Sequence, residues 1–209
     1  MQKITTIKRF ASILLAVLML LSCTVVFSGC GKNRIPKDLE VYDYDVYGNP
    51  TSYYKNEYDE AGNCIKNANY NSQGELMGFT ENEFDENNNK IKSTYYGKDE
   101  KVKGATTYEY DAQNRIIKQA NLDKNGVVTD YVAYEYNELG YEYRFYRYEG
   151  DDTLKSYIEY EYDENGECTK MTTYTGTGEV KGYSEYKPDE NGEIKEYVYE
   201  ADGTLVSIE

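Results

Sequence analysis

From about residue 41 to the carboxyl terminus, runs rich in Tyr, Ile, Val and Thr alternate with tight polar clusters, and the alternation is periodic. Tyr58, Phe84, Tyr110, Tyr136 and Tyr162 stand 26 residues apart, and Pro188 falls at the next step. Four residues after each comes Gly62, Asn88, Asn114, Gly140, Gly166 or Gly192. A second column reads Gly48, Gly74, Glu100, Gly126, Asp152 and Gly178, with Gly203 one residue early. Gly and Asn adopt left-handed backbone geometry most cheaply. An Asp at the start, as in Asp163-Glu164-Asn165-Gly166, bonds the turn backbone through its side chain. The runs between turns are β-branched and aromatic, the composition of strands. The pattern therefore predicts an all-β chain, a tandem-repeat antiparallel β-meander of about fourteen strands in 26-residue two-strand units.

A four-residue loop over Asp163 to Gly166 sets an expected register. It places Tyr162 opposite Glu167, Tyr160 opposite Thr169, Tyr108 opposite Ile117 and Tyr134 opposite Tyr143. It also sets Glu81 against Lys92 and Glu159 against Lys170. One face then receives Leu76, Val102, Val128, Leu154 and Val180 with Tyr110, Tyr136, Tyr162, Ile65, Ile91 and Ile117. The other receives Glu83, Glu109, Glu135 and Glu161 with Lys66, Lys92, Lys118, Arg144 and Lys170. The first face is expected inward or concave and the second solvated. Fourteen strands exceed what an open twisted sheet usually carries without curling or splitting. A curled or spiralling sheet, two stacked halves or a partner would each cover the apolar face, and the sequence leaves that choice open.

The first 29 residues follow a different pattern. Lys3, Lys8 and Arg9 precede an uncharged stretch from Phe10 to Phe27, with Ser28 and Gly29 before Cys30. That is the plan of an export signal. The segment Val26-Phe27-Ser28-Gly29-Cys30 resembles the lipobox of bacterial lipoproteins, with Phe27 where Leu is usual. The resemblance implies cleavage between Gly29 and Cys30 and lipidation of Cys30. Leu20-Leu21-Ser22-Cys23 fits the same pattern but would leave Thr24-Val25-Val26-Phe27 exposed at the mature terminus. An uncleaved spanning helix is the other reading. The expected organisation is a signal peptide over 1–29, a lipidated tether over 30–40 and a repeat domain over 41–209. A tether from Gly31 to Asp38 reaches at most about 25 to 30 Å. The protein is thus expected lipid-anchored at the extracytoplasmic face of a cell membrane, and the diacylglyceryl group implied by the resemblance gives durable attachment.

Charge and composition narrow the function. With the three basic residues of the leader set aside, 20 basic face 38 acidic groups, a net charge of −18. Such a surface repels nucleic-acid phosphates and anionic head groups. The chain has no His and no Trp. Histidine-dependent triads and imidazole metal sites are excluded, and carboxylate pairs occur everywhere without one singled out by spacing. No enzyme, cofactor or metal is expected; the acidic turns, such as Asp59-Glu60 and Asp189-Glu190, are read as turn stabilisers, and no Asp-x-Asp-x-Asp-Gly spacing points to calcium. Cys64 and Cys168 share a repeat position eight strands apart, about 38 Å in an open meander; only a tightly closed sheet could join them in a disulfide, and two free thiols among strand residues are expected. The 26 tyrosines pack across strands for the most part. Tyr110, Tyr136 and Tyr162 are the candidate ligand-contacting aromatics, because rings recurring on every second strand suit sugar stacking.

The run Tyr160-Glu161-Tyr162-Asp163-Glu164-Asn165-Gly166, with Tyr108-Glu109-Tyr110-Asp111 and Tyr134-Glu135-Tyr136-Asn137, resembles the YD repeats of bacterial Rhs and wall-associated proteins. The resemblance spans residues 41 to 209 and implies a continuous antiparallel sheet of hairpins. This chain's unit is longer than the usual YD unit, and it carries no toxin segment to enclose. The aromatic cell-wall and glucan-binding repeats are similar in their Tyr-Phe-Asp-x-x-Gly hairpins, but they usually carry Trp. Two functions are therefore expected: a non-catalytic binding or adhesion module for glycan, wall polymer or protein, or a structural spacer or protein-interaction scaffold related to Rhs-type toxin and immunity systems.

Overall fold

The computed structural model describes residues 38–209; Gly29 and Cys30 lie outside the described residues. Fourteen strands run in chain order: β1 (Asp38–Tyr44), β2 (Pro50–Tyr58), β3 (Cys64–Asn71), β4 (Leu76–Phe84), β5 (Lys90–Gly97), β6 (Val102–Tyr110) and β7 (Ile116–Asp123). The second half continues as β8 (Val128–Tyr136), β9 (Glu142–Glu149), β10 (Leu154–Tyr162), β11 (Cys168–Thr175), β12 (Val180–Pro188), β13 (Ile194–Glu200) and β14 (Leu205–Ile208). Each strand pairs antiparallel with its sequence neighbours in one 14-stranded sheet, and β1 and β14 form its two open edges. The sheet is not closed into a barrel, and among the described residues there is no helix.

Every hairpin closes in the same way. In the Asp163 turn, the Gly166 amide donates to the Asp163 carbonyl at 3.1 Å and the Asp163 amide donates to the Glu167 carbonyl at 3.0 Å; the same pair of bonds recurs at all the other connections. The fourth residue always has positive φ, from 56° at Glu100 to 92° at Gly62. Both turn columns thus mark one turn, a type I turn followed by a left-handed residue. Where Asp or Asn opens the turn, its Oδ1 accepts backbone N–H groups further along, as Asp163 does from Asn165 and Glu167, both at 2.9 Å. The turns opened by Gly97, Glu149 and Glu200 carry Asp99, Asp151 and Asp202 at the third position instead. Each of these accepts an amide two residues on.

The observed register corrects the expected one. The loop is closed by Asp163 facing Glu167, so Tyr162 sits opposite Cys168 rather than Glu167. A bulge at Thr169 then displaces the strand body further, and Tyr160 faces Met171, not Thr169. Likewise Tyr108 faces Gln119 and Tyr134 faces Phe145. Lys92 meets Glu83 rather than Glu81, and Lys170 meets Glu161 rather than Glu159. Twelve of the thirteen strand pairs contain such a bulge; β12 with β13 does not. Lys187 pairs directly with Lys195 there, and the missing bulge residue is why Gly203 arrives one position early.

The bulges also reassign the faces, because one extra residue flips side chains across the pleat. The carboxylate and lysine column stays together on one face. Leu76, Val102, Leu154 and Val180 pair on that same face with Tyr70, Tyr96, Tyr148 and Tyr174, and Val128 with Leu122. Tyr110, Tyr136 and Tyr162 occupy the opposite face. An aliphatic face set against a charged face is therefore not what forms.

No second layer covers either face among the described residues, since each strand touches only its neighbours in sequence. No large side chain is fully buried there. The buried residues are small ones at mid-strand: Ala68, Ala105, Ala120 and Thr172 on the charged face; Asn56, Ser93, Thr106 and Ser184 on the other, where Tyr108 is the largest. Stability is thus distributed as cross-strand pairs of about 0.2–1 kcal/mol each.

Candidate functional site

The face opposite the charged one is a clasp. Tyr110, Tyr136 and Tyr162 end β6, β8 and β10, and each reaches over the preceding unit. Their hydroxyls donate to the carbonyls of Lys90, Ile116 and Glu142 at 2.8, 2.8 and 2.6 Å. The Arg115 guanidinium covers the Tyr136 ring at 4.4 Å, and Tyr141 stacks on Tyr162 at 5.1 Å. Burial pushes all three phenols up. The three tyrosines singled out by the sequence therefore join successive hairpins.

Around β9 the same face holds Glu142 with Tyr134, Tyr136, Tyr160 and Tyr162. Burial raises the Glu142 carboxyl pKa, and burial, with the Glu142 charge adding to it, raises the pKa of the tyrosines around it. Toward β2–β8 the face becomes a polar seam. Ser93 Oγ donates to Asn82 Oδ1 at 2.7 Å, Thr106 Oγ1 to Asn121 Oδ1 at 3.2 Å, and Asn121 Nδ2 to Asp130 Oδ1 at 2.8 Å. Cys64 and Cys168 are not joined to each other; burial raises the Cys168 thiol pKa.

The charged face carries a second aromatic system that the sequence reading missed. Tyr53 stacks on Tyr70, Phe79 on Tyr96, Tyr131 on Tyr148, Tyr157 on Tyr174 and Tyr183 on Tyr199, with centroids 4.4–5.0 Å apart and planes within 15°. Parallel rings at this spacing are favourable beyond the area they cover. The signal was present: Tyr53, Phe79, Tyr131, Tyr157 and Tyr183 keep the 26-residue step, with Ala105 at the one remaining position. A lysine of the preceding strand caps several rungs: Lys66 lies 4.1 Å from the Phe79 centroid, Lys118 4.3 Å from Tyr131 and Lys170 5.0 Å from Tyr183. Toward the first turn column, Glu83–Lys92, Glu109–Lys118, Glu135–Arg144 and Glu161–Lys170 approach at 3.3–3.9 Å. These exposed pairs add little individually.

The ladder is interrupted once. At the third rung Ala105 faces Leu122, and a groove of about 580 Å³ crosses the sheet there. It runs diagonally from Glu57, Ile65 and Lys66 past Glu81, Glu83, Lys92 and Thr94 to Tyr96, Val102, Ala105 and Leu122, ending at Asp123, Lys124 and Gly126. Twist makes an open sheet a saddle, concave along one diagonal of each face. Removing two rings on that diagonal deepens it. Among the described residues no cluster of His, Cys, Asp or Glu is arranged to hold a metal ion, and the carboxylates opening most turns are occupied with backbone amides.

Among known proteins, no family model matches this chain, and no curated protein matches it in sequence. Solved structures are similar at low identity. The complex described as TcdB2-TccC3-Cdc42 aligns at 14% identity over 80% of this chain and 13% of that one, with a TM-score of 0.37. TcdB2-TccC3 aligns at 15% over 81% and 12%, with a TM-score of 0.38. A porin-like protein from Bacteroides uniformis ATCC 8492 aligns at 12% over 76% of this chain and 90% of that one, with a TM-score of 0.34. The chain thus spans about an eighth of the length of the TcdB2-TccC3 chains it aligns with.

Proposed function

We propose that the chain is a membrane-anchored extracytoplasmic lipoprotein whose repeat sheet acts as a non-catalytic binding or adhesion module for a glycan or cell-wall polymer. One observation carries the binding reading: among the described residues a single-layer sheet presents an ordered ring ladder on an uncovered face, broken by a groove of mixed polarity. Pockets of that kind, with an apolar floor and a few convergent polar groups, are the usual form of ligand sites. Two-dimensional NMR of residues 38–209, titrated with a glycan panel and with solubilised wall fractions, tests it. Ring-proton shifts in tyrosines of the charged face are expected, and no response to any of them would overturn the reading. The anchor is tested separately. Cys30→Ser is expected to abolish incorporation of labelled fatty acid, and persistence of label would defeat the assignment.

A second reading, a spacer or protein-interaction scaffold of the kind the Rhs likeness implies, is favoured by contacts confined to sequence neighbours, so that length grows linearly with repeats. Co-purification of one stoichiometric protein partner from mild detergent, with no glycan response, would select it.

A further inference from the structure

We propose that the missing rung at Ala105 and Leu122 is a binding subsite for a neutral hexopyranose ring of a glycan chain, seated on Tyr96 and held by Lys92 and the carboxylates around it. This rests on the binding-module reading above and places the site on the charged face, away from Tyr110, Tyr136 and Tyr162.

Phe79, Tyr131 and Tyr183 each put a ring between a partner ring and a capping lysine. Lys92 stands 26 residues from Lys66 and Lys118, but the ring it would cap is Ala105. One face of Tyr96 is stacked on Phe79 at 4.4 Å. On the β6 side Tyr96 pairs with Val102, and both line the groove. The next ring along the row is Tyr131, three strands away or about 14 Å at the usual interstrand spacing, and its near face is capped by Lys118. The groove at this rung is thus lined by Tyr96, Val102, Lys92, Ala105 and Leu122.

The lining selects the occupant. A pyranose has an apolar C–H face that packs on an aromatic ring and a rim of hydroxyls that both donate and accept. Lys66 and Lys92 supply donors, and Glu57, Glu81 and Glu83 supply acceptors. An aromatic side chain has at most one polar atom and would strip water from these charges without replacing it. Three lysines and four carboxylates line the groove, Lys124 and Asp123 included. In a chain of net charge −15 that near-balance suits an uncharged ligand, and the diagonal course of the groove lets a linear chain continue on both sides.

The test fills the rung. Ala105→Tyr with Leu122→Tyr recreates the pair already present at Tyr131 and Tyr148, so the variant should remain folded, with unchanged backbone spectra away from β6 and β7. Cellohexaose and chitohexaose are the probes, read by calorimetry and by the Tyr96 ring resonances. Wild type is expected to bind at least one with a Tyr96 shift, and the filled variant and Tyr96→Ala are each expected to lose roughly tenfold or more in affinity. Undiminished binding by the filled variant overturns the subsite while leaving the binding module standing. Binding of wall fractions but of neither neutral oligosaccharide also overturns it. Failure of all glycans and wall fractions removes both. Capture of a Tyr-rich peptide at Tyr96 in place of sugar would count against it as well.

Discussion

Single residues decide whether each hairpin closes. Gly166 has φ +82°, and a Cβ there would run into the ring of Tyr141. Gly166→Val should therefore lower stability by about 1 kcal/mol or more, seen as a reduced melting temperature; an unchanged one would mean the turn tolerates a branched side chain. The turn carboxylates set the acid limit. Hydrogen bonds to Asn49 hold Asp45 below the usual carboxylate range, and backbone amides do the same for Asp123, Asp163 and Asp189. A carboxyl whose folded pKa is depressed stabilises above its unfolded value and loses that contribution as pH falls through the folded one. Stability should therefore decline below about pH 3.9, measured by urea unfolding across an acid series. Glu142 has the opposite sign. Burial raises its pKa, so its ionised form opposes folding at neutral pH and the opposition fades as pH falls into its titration range. Glu142→Gln should raise the urea midpoint at pH 7, with the gain shrinking toward pH 4. The turns could be read from Asp, Asn and Gly spacing because their geometry is local. The burial of Glu142 could not, since its neighbours Tyr160 and Tyr162 arrive from the next hairpin.

At the scale of the hairpin, the bulge separates what the pattern conveys from what it hides. Strand identity, count and turn position follow from period and composition. Register does not, because a bulge inserts one residue without changing composition, as Thr169 does between Cys168 and Lys170. The same insertions moved Leu76, Val102, Leu154 and Val180 onto the charged face. The hairpin of β12 and β13 shows that this fold accepts a bulge-free pair. Deleting Thr169 should thus give a folded protein in which Glu161 still faces Lys170, detected as a retained cross-strand NOE. Loss of that NOE, or a changed pairing of β11 with β12, would show that the bulge fixes register beyond its own hairpin. The ring ladder belongs to this scale too. Its members keep the 26-residue step, yet only the true register shows that Phe79 meets Tyr96 and that Ala105 meets Leu122.

For the whole molecule, contacts limited to neighbouring strands imply a stability close to a sum over units and interfaces. Excising residues 137–162 joins Tyr136 to Asp163, equivalent to an existing junction, and should leave a folded twelve-strand sheet. Its long dimension in small-angle scattering should shorten by about 10 Å, two interstrand spacings. Collapse of the variant would show long-range coupling. The sequence by itself determined an antiparallel meander of fourteen strands, because local backbone preferences at Gly, Asn and Asp recur on a fixed period and each acts within four residues. Only the tertiary structure decided which side chains share a face, that among the described residues no layer covers the sheet, and that a missing pair of rings opens a groove. Those properties arise between strands, where one bulge residue, silent in composition, sets which partners meet.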